Sequence, residues 1–355
     1  AEMGKIKEIC KNLSIEEVEL RTRESPDVAP YLQELEFEKV ILELPEEFQK
    51  IRDALTKLFN NYVDELKNRR VLFTFPSKTE LIGLQKRIML SILRGNKGYN
   101  NLLASSACAQ AVKLQHALEL LETQTLLGFN KYLKQLFTQA AEGKNKGVMR
   151  LVSKPEFNFA FVKSEELLAK RHEHPKIEAL REFLEEEIKK NGNTKVIVFS
   201  QYRETARILC KTLNTIEGIR AKVFVGQAKK EVSGGSGEIS GLSQKEQKKV
   251  IIDFSSGEVN VLCATSIGEE GLDIPEVNIV VFYEPVASAI RTIQRAGRTS
   301  RLMKGKLVML ITRKTRDEAY FYASKAKEKK MHSAISSIKS SLKDGNLGET
   351  QKKLE

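Results

Sequence analysis

From about residue 174 onward, short apolar runs alternate with helical stretches, and few folds can accommodate that alternation. The runs lie at 195–200, 221–225, 259–263, 278–283 and 306–311. In Lys195-Val196-Ile197-Val198-Phe199-Ser200 the apolar residues are consecutive rather than alternating. A strand with one wet face reads apolar-polar-apolar, so a continuous run belongs to a strand covered on both faces. Stretches with helical periodicity at 175–190, 203–214, 243–255, 287–297 and 315–330 separate the runs. Strands joined by helices of this length make crossover connections, and the expected product is an α/β unit whose parallel sheet is flanked by helices.

The preceding part follows different rules. Pro45-Glu46-Glu47 has the form of a helix start, and Phe48, Ile51, Leu55, Leu58 and Phe59 recur at helical spacing. Further helices are expected near 78–94, 101–127, 129–140 and 164–171, with breaks at Pro76, 95–98, Gly128 and 143–147. The stretch 46–173 therefore reads as an all-helical domain inserted before the α/β domain at 174–331. Residues 1–45, with a helix at 6–13 and strands at 18–20 and 39–42, are too few to form a domain alone. The Ser/Lys-rich tail 332–355 is expected to be flexible. The chain has 355 residues, enough for two or three cores. Its formal net charge of +12 favours polyanionic partners, nucleic acid foremost. Cys10, Cys108, Cys210 and Cys263 form no CxxC pair, which fits buried free thiols in a reducing, intracellular setting. No apolar run approaches the length of a membrane span. Ala1-Glu2-Met3-Gly4-Lys5 starts abruptly, as expected of a piece cut from a longer chain.

In an open parallel sheet, function gathers at the carboxyl ends of the strands. Three clusters are expected there. One is Phe199-Ser200-Gln201-Tyr202-Arg203. The second runs from Ala264 to Pro275, where Thr265 and Ser266 offer hydroxyls and backbone N–H groups to a phosphodiester. In the same cluster Gly268 and Gly271 permit close backbone approach, and Asp273 is an acceptor for a ribose hydroxyl or an arginine. The third is Gln294-Arg295-Ala296-Gly297-Arg298-Thr299-Ser300-Arg301. Arg298 and Arg301 flank a turn at the end of a helix, and planar guanidinium forks suit phosphate oxygens. Taken singly, each cluster has an ordinary explanation: a basic helix end facing its own dipole, or a glycine-rich turn. The loop 226–242, rich in glycine and serine, reads as an ordinary mobile surface loop or as one that orders on nucleic acid.

Together, in this order, the clusters resemble motifs IV, V and VI of superfamily-2 helicases. The string Glu269-Glu270-Gly271-Leu272-Asp273-Ile274-Pro275-Glu276-Val277, with Val281-Phe282-Tyr283-Glu284-Pro285, resembles more closely the Hef and Fanconi anaemia M family, as does the helical insertion. The resemblance is specific over 195–313 and looser over 30–172. It implies a second RecA-like motor domain preceded by a thumb-like grip on branched DNA. It implies that Arg298 and Arg301 contact the γ-phosphate of ATP, that Gln294 couples ATP to the partner domain, and that Gly271 and Asp273 lie near the nucleotide. It also implies that Gln201, Gly226, Thr265 and Ser266 lie along a nucleic-acid backbone. The source protein would then be intracellular, cytoplasmic and nucleoid-associated if archaeal.

A complete motor also needs a Gly-x-x-x-x-Gly-Lys-Ser/Thr loop for phosphates and Mg2+. None occurs in these residues, and Gly95-Asn96-Lys97-Gly98 has the wrong spacing. In the family that loop belongs to the first motor domain, of which residues 1–25 would be the last piece. ATP and Mg2+ are thus expected to be bound mainly by that first domain, and this chain is expected to be inactive alone.

The grip is expected in the segment 67–97, where Lys67, Arg69, Arg70, Lys78, Lys86, Arg87, Arg94 and Lys97 meet a single acid, Glu80. Phe73 and Phe75, among these cations, are expected to be core, since aromatics dominate cores. His172 and His174, at the domain boundary and without a third ligand, read as linker histidines rather than a metal pair. Two rival readings stay open: a double-stranded-RNA-dependent ATPase of the innate-sensor type, and a non-catalytic nucleic-acid-binding module.

Overall fold

The computed structural model describes residues 3–19, 21, 25–28, 34–227, 241–268, 274–299 and 304–343. The chain opens with α1 (Met3–Asn12) and β1 (Leu35–Leu42). A helical bundle follows: α2 (Glu46–Asn68), α3 (Lys78–Leu93), α4 (Tyr99–Thr123), α5 (Leu126–Ala141), α6 (Lys146–Val152) and α7 (Pro155–Ala169). The α/β unit comprises α8 (Pro175–Lys190), β2 (Val196–Phe199), α9 (Arg203–Leu213), β3 (Ala221–Phe224), α10 (Gln244–Ser256) and β4 (Val261–Ala264). It continues through β5 (Ile279–Phe282), α11 (Ala289–Ala296), β6 (Gly305–Thr312) and α12 (Arg316–Lys343).

All strand pairs are parallel, in the order β1-β6-β5-β2-β4-β3. Every residue of β2, β4 and β5 is buried, as the continuous apolar runs require. Successive side chains point to opposite faces. Val196 and Val198 join Leu180 and Leu184 of α8 and Leu209 of α9 on one face. Ile197 and Phe199 join Val250 and Phe254 of α10 and Phe321 of α12 on the other. The fold class is as the sequence implies, a helical bundle followed by a RecA-like parallel sheet.

Several assignments change. Residues 35–42, grouped in sequence with a remnant of another domain, pair with β6 in register from Leu35↔Gly305 to Leu42↔Thr312. This is an edge strand guarded by charge: Lys306 reaches Glu38 at 2.8 Å. The tail expected to be flexible from 332 is helical to Lys343, because Ala334 and Ile338 are buried. The break expected over 143–147 is shorter, since Asn145 caps α6 by accepting from the Gly147 and Val148 amides at 3.0 and 3.1 Å. No strand forms at Val18–Glu19, and Leu20 lies outside the described residues.

Within the bundle, α2 buries Phe48, Ile51, Leu55 and Leu58. The 25 residues of α4 form a rod about 37 Å long. Its start lies against the end of α2, where Arg69 Nη1 meets Asn100 Oδ1 at 3.1 Å. Its last turn is docked on the α/β unit, which explains why Glu119, Glu122 and Thr123 are buried there.

Candidate nucleotide and nucleic-acid interface

Parallel pairing puts the carboxyl ends of the strands on one rim. Phe199 is in register with both Ala264 and Phe282, and Phe224 with Ala264. The turns that leave this rim carry Gln201 after β2, Gly226 after β3, Thr265 and Ser266 after β4, and Glu284 after β5. The backbone ladder extends into them: Ser200 N–H donates to Ala264 at 2.9 Å and Thr265 N–H to Phe224 at 3.2 Å. Gln201 and Ser266 are exposed, Gly226 is half-buried and Thr265 is buried. A Cβ at Gly226 would lie 3.3 Å from Arg203 Nη2. At Gly268 it would lie 2.9 Å from the Phe199 ring and 3.1 Å from Ala264 Cβ. Packing against Phe199, rather than approach to a ligand, accounts for this glycine.

Helix α11 carries the Gln-Arg cluster. Arg295 is buried, with its guanidinium carbon 4.9 Å from the Phe199 ring centroid and 5.6 Å from that of Phe282. The helix therefore turns one cation into the sheet, and leaves Gln294 and Arg298 half-buried. The turn after it is stapled to the entry of β5. Val277 N–H donates to the Arg298 carbonyl at 3.1 Å, and the Thr299 hydroxyl donates to the Val277 carbonyl at 2.6 Å. Gly271, Asp273 and Arg301 lie outside the described residues, as does most of the loop 226–242.

Glu284 is a polar feature that sequence reading missed. It is buried, and one carboxylate oxygen accepts from the Gln201 amide. The other has no hydrogen-bond partner among the described residues. Burial pushes its carboxyl up to about 8, against the opposing pull of Lys176 and Arg295. Its signals in sequence are an acid two residues past a buried apolar strand and its place in the string Val281–Pro285, neither of which gave it a role.

The bundle meets the same rim through a buried polar junction. Lys176 Nζ lies 2.5 Å from Asp317 Oδ2, with both side chains fully buried. It also donates to the Thr123 carbonyl at the end of α4 at 3.2 Å. The Thr205 hydroxyl donates to Gln124 Oε1 at 2.7 Å, and Arg316 Nη1 pairs with Glu122 at 2.7 Å. Burial would raise the Glu119 carboxyl, but His116 and Lys78 hold it down at about 2. His174 is not a loose linker residue. Its Nδ1 accepts from the Lys176 amide at 3.3 Å as the N-cap of α8, and Nε2 meets the Glu122 carbonyl at 3.2 Å. Burial drives its pKa well down, so the ring is neutral and the Nε2 proton points at that carbonyl.

On the bundle, the predicted cations divide. Arg69 is tied to Glu65 at 2.8 Å and Arg87 to Glu80 at 2.6 Å, whereas Arg70 and Lys86 are exposed and make no ion pair among the described residues. The expectation for Phe73 and Phe75 is overturned: they are 83% and 82% exposed. Leu72 supplies the buried core contact of that segment, with Val71 packed partly against the same cluster, and Phe73 and Phe75 face out.

A helicase-type second motor domain carrying a helical bundle is the class this arrangement defines. Residues 175–303 match the family described as "Helicase conserved C-terminal domain". Residues 47–172 match "Putative ATP-dependent RNA helicase, helical bundle". The crystal structure of the Pyrococcus furiosus Hef helicase domain superposes with a TM-score of 0.72 and 39% identity, over 90% of this chain and 64% of that one. "Putative ATP-dependent RNA helicase MJ1505" of Methanocaldococcus jannaschii is 36% identical over 93% of this chain and 40% of its own length. The Fanconi anemia group M protein homolog of Mus musculus is 29% identical over 93% of this chain and 18% of its own length. The chain belongs to the superfamily-2 helicases of the Hef and Fanconi anaemia M type, and corresponds to the C-terminal part of their helicase region. It thus spans less than half the length of these two curated relatives. Among the described residues no helix is long and apolar enough to cross a membrane.

Proposed function

We propose that this chain is the second motor domain and the nucleic-acid grip of an intracellular ATP-driven DNA helicase or translocase that works on forked or branched DNA. Arg298 and Arg301 serve as arginine fingers toward the triphosphate, Gln294 couples that contact to the first motor domain, and Gly271 and Asp273 border the nucleotide. Gln201, Gly226, Thr265 and Ser266 follow the nucleic-acid backbone, and the cations of the bundle, Arg70 and Lys86 above all, hold a second part of the duplex or fork. ATP and Mg2+ are held chiefly by a first motor domain, since these 355 residues contain no phosphate loop.

The observation that carries this reading is the shared rim. Gln201, Gly226 and Thr265 leave adjacent strand ends, and α11 turns Arg295 inward while its stapled turn holds Arg298. A fixed guanidinium stabilises charge developing on a transferred phosphoryl group without reorganising as it forms. Closure of a cleft between two such domains would convert hydrolysis into movement along a strand.

The test is ATP turnover on forked DNA by the pure 355-residue chain. No turnover is expected. Turnover that disappears on Arg298→Ala would overturn the assignment of the nucleotide site to two domains. A second reading, an ATPase driven by duplex RNA, is favoured by the RNA-helicase description matched by residues 47–172. Tighter binding of duplex RNA than of forked DNA would select it.

A further inference from the structure

The bundle presents two phenylalanines to solvent where a core would be expected to claim them. They lie on the strap Val71–Ser77 between α2 and α3, and the strap is anchored at both ends. At one end the Val71 amide donates to the Leu66 carbonyl at 3.1 Å and Leu72 is buried. At the other, Gln115 Nε2 donates to the Pro76 carbonyl at 3.4 Å, and the Ser77 amide to the Phe75 carbonyl at 2.7 Å. Phe73 and Phe75 are therefore held outward by a fixed backbone. Residues two apart have Cα atoms at most about 7 Å from each other. That is about twice the 3.4 Å spacing of stacked bases, so two such rings can flank one base or face two successive ones.

The chain on either side of the strap is cationic. Arg70 precedes the strap, at φ +56°, and Lys86, Arg94 and Lys97 follow on and after α3. These four are exposed and make no ion pair among the described residues. The single acid between 67 and 97, Glu80, is already held by Arg87. Tyr99, 78% exposed, adds a third ring at the start of α4. Aromatic faces bounded by unpaired cations suit a polyanion whose bases are uncovered. A fully paired duplex offers the phosphates but hides the base faces.

We propose that Phe73 and Phe75 form a stacking clamp for unpaired bases, so that the bundle recognises the single-stranded arm of a fork. This rests on the nucleic-acid reading above and specifies its substrate.

The test is equilibrium binding of the 355-residue chain to three labelled probes: a fork with one single-stranded arm, the same fork with abasic residues in that arm, and a blunt duplex. The chain is compared with F73A, F75A and the double variant. Both rings are exposed, so the variants are expected to fold as the parent does, which circular dichroism checks. The expected result is a loss of about tenfold or more for the fork on double substitution. Binding to the blunt duplex stays unchanged, and abasic substitution weakens the parent by a similar factor but not the double variant. Equal loss on all three probes, or equal affinity of the parent for the intact and abasic forks, overturns the clamp and leaves the nucleic-acid reading standing. No binding to any probe by the parent removes both. If the rings instead cover a protein surface, the abasic comparison is flat, which also overturns the clamp.

Discussion

Replacing Lys176 with methionine tests how the bundle is held on the motor fold. Lys176 and Asp317 are fully buried, 2.5 Å apart, and Lys176 also donates to the Thr123 carbonyl. Methionine preserves chain length and most of the volume, so the loss is electrostatic. Removing one member of a buried pair costs about 3–5 kcal/mol, because the remaining charge stays out of water. Asp317 Oδ1 has no hydrogen-bond partner among the described residues, which argues for the upper part of that range. Against a whole-domain stability of about 5–15 kcal/mol the effect is large. It also carries a pH signature. Burial already raises the Asp317 carboxyl, with Lys176 opposing. Without Lys176 the carboxyl rises further. A raised acid contributes stability that is full below its unfolded pKa and lost as pH rises through its folded one. The K176M chain should therefore be closest to the parent at acid pH and furthest from it at neutral pH. K176M/D317N, which buries no charge at this site, should recover most of the loss. Denaturant unfolding of the four chains (parent, each single variant, the double) at pH 5 and 8 measures this. A K176M loss below about 1 kcal/mol, the scale of an exposed pair, or a loss equal at both pH values, would refute the reasoning.

Other outcomes follow from the rim. Gly268→Ala forces a methyl against Phe199 and Ala264 and should cost about 1–3 kcal/mol, read as a lowered thermal midpoint; an unchanged midpoint would show that the turn has room. The Glu284 carboxyl, pushed up to about 8, makes the parent lose stability as pH rises from the ordinary carboxylate range through 8; E284Q should flatten this slope, and parallel profiles would contradict it. Arg298→Ala should lower ATP turnover of a motor completed by its first domain about a thousandfold or more, read by steady-state ATPase; turnover within about tenfold of the parent would contradict the finger.

The sheet was legible because its strands are buried on both faces, and burial leaves continuous apolar runs. Helix α8 was legible to the residue, since Pro175 opens it and Asn191-Gly192 follows it. What escaped was long-range. Nothing local marks Lys176 as the partner of Asp317, and a statistical preference for buried aromatics put Phe73 and Phe75 on the wrong side. Leu72, one residue earlier, takes the inward position, and the strap has no helical period to reveal which neighbour that would be. Edge strand β1 was cut short in sequence because Glu36 and Glu38 interrupt it; they are the charges that meet Lys306. Of the candidate site, Gln201, Thr265, Ser266 and Arg298 were singled out from clusters after strands or at a helix end, and Gly226 only through the family resemblance; the structure puts them in the turns after β2, β4, α11 and β3. Arg295 and Glu284 were not singled out, because inward-facing charges are recognisable only once the packing is known.

The central claim is that this half of a motor grips DNA through its own cations, and a salt series of its affinity for forked DNA tests it most directly. With Arg70, Lys86, Arg94 and Lys97 engaged, the logarithm of the binding constant should fall with the logarithm of salt at a slope of about −3 to −4. Substitution of Arg70 and Lys86 together should reduce that slope by about 2. Binding that ignores salt, or a slope untouched by the double substitution, would contradict the account.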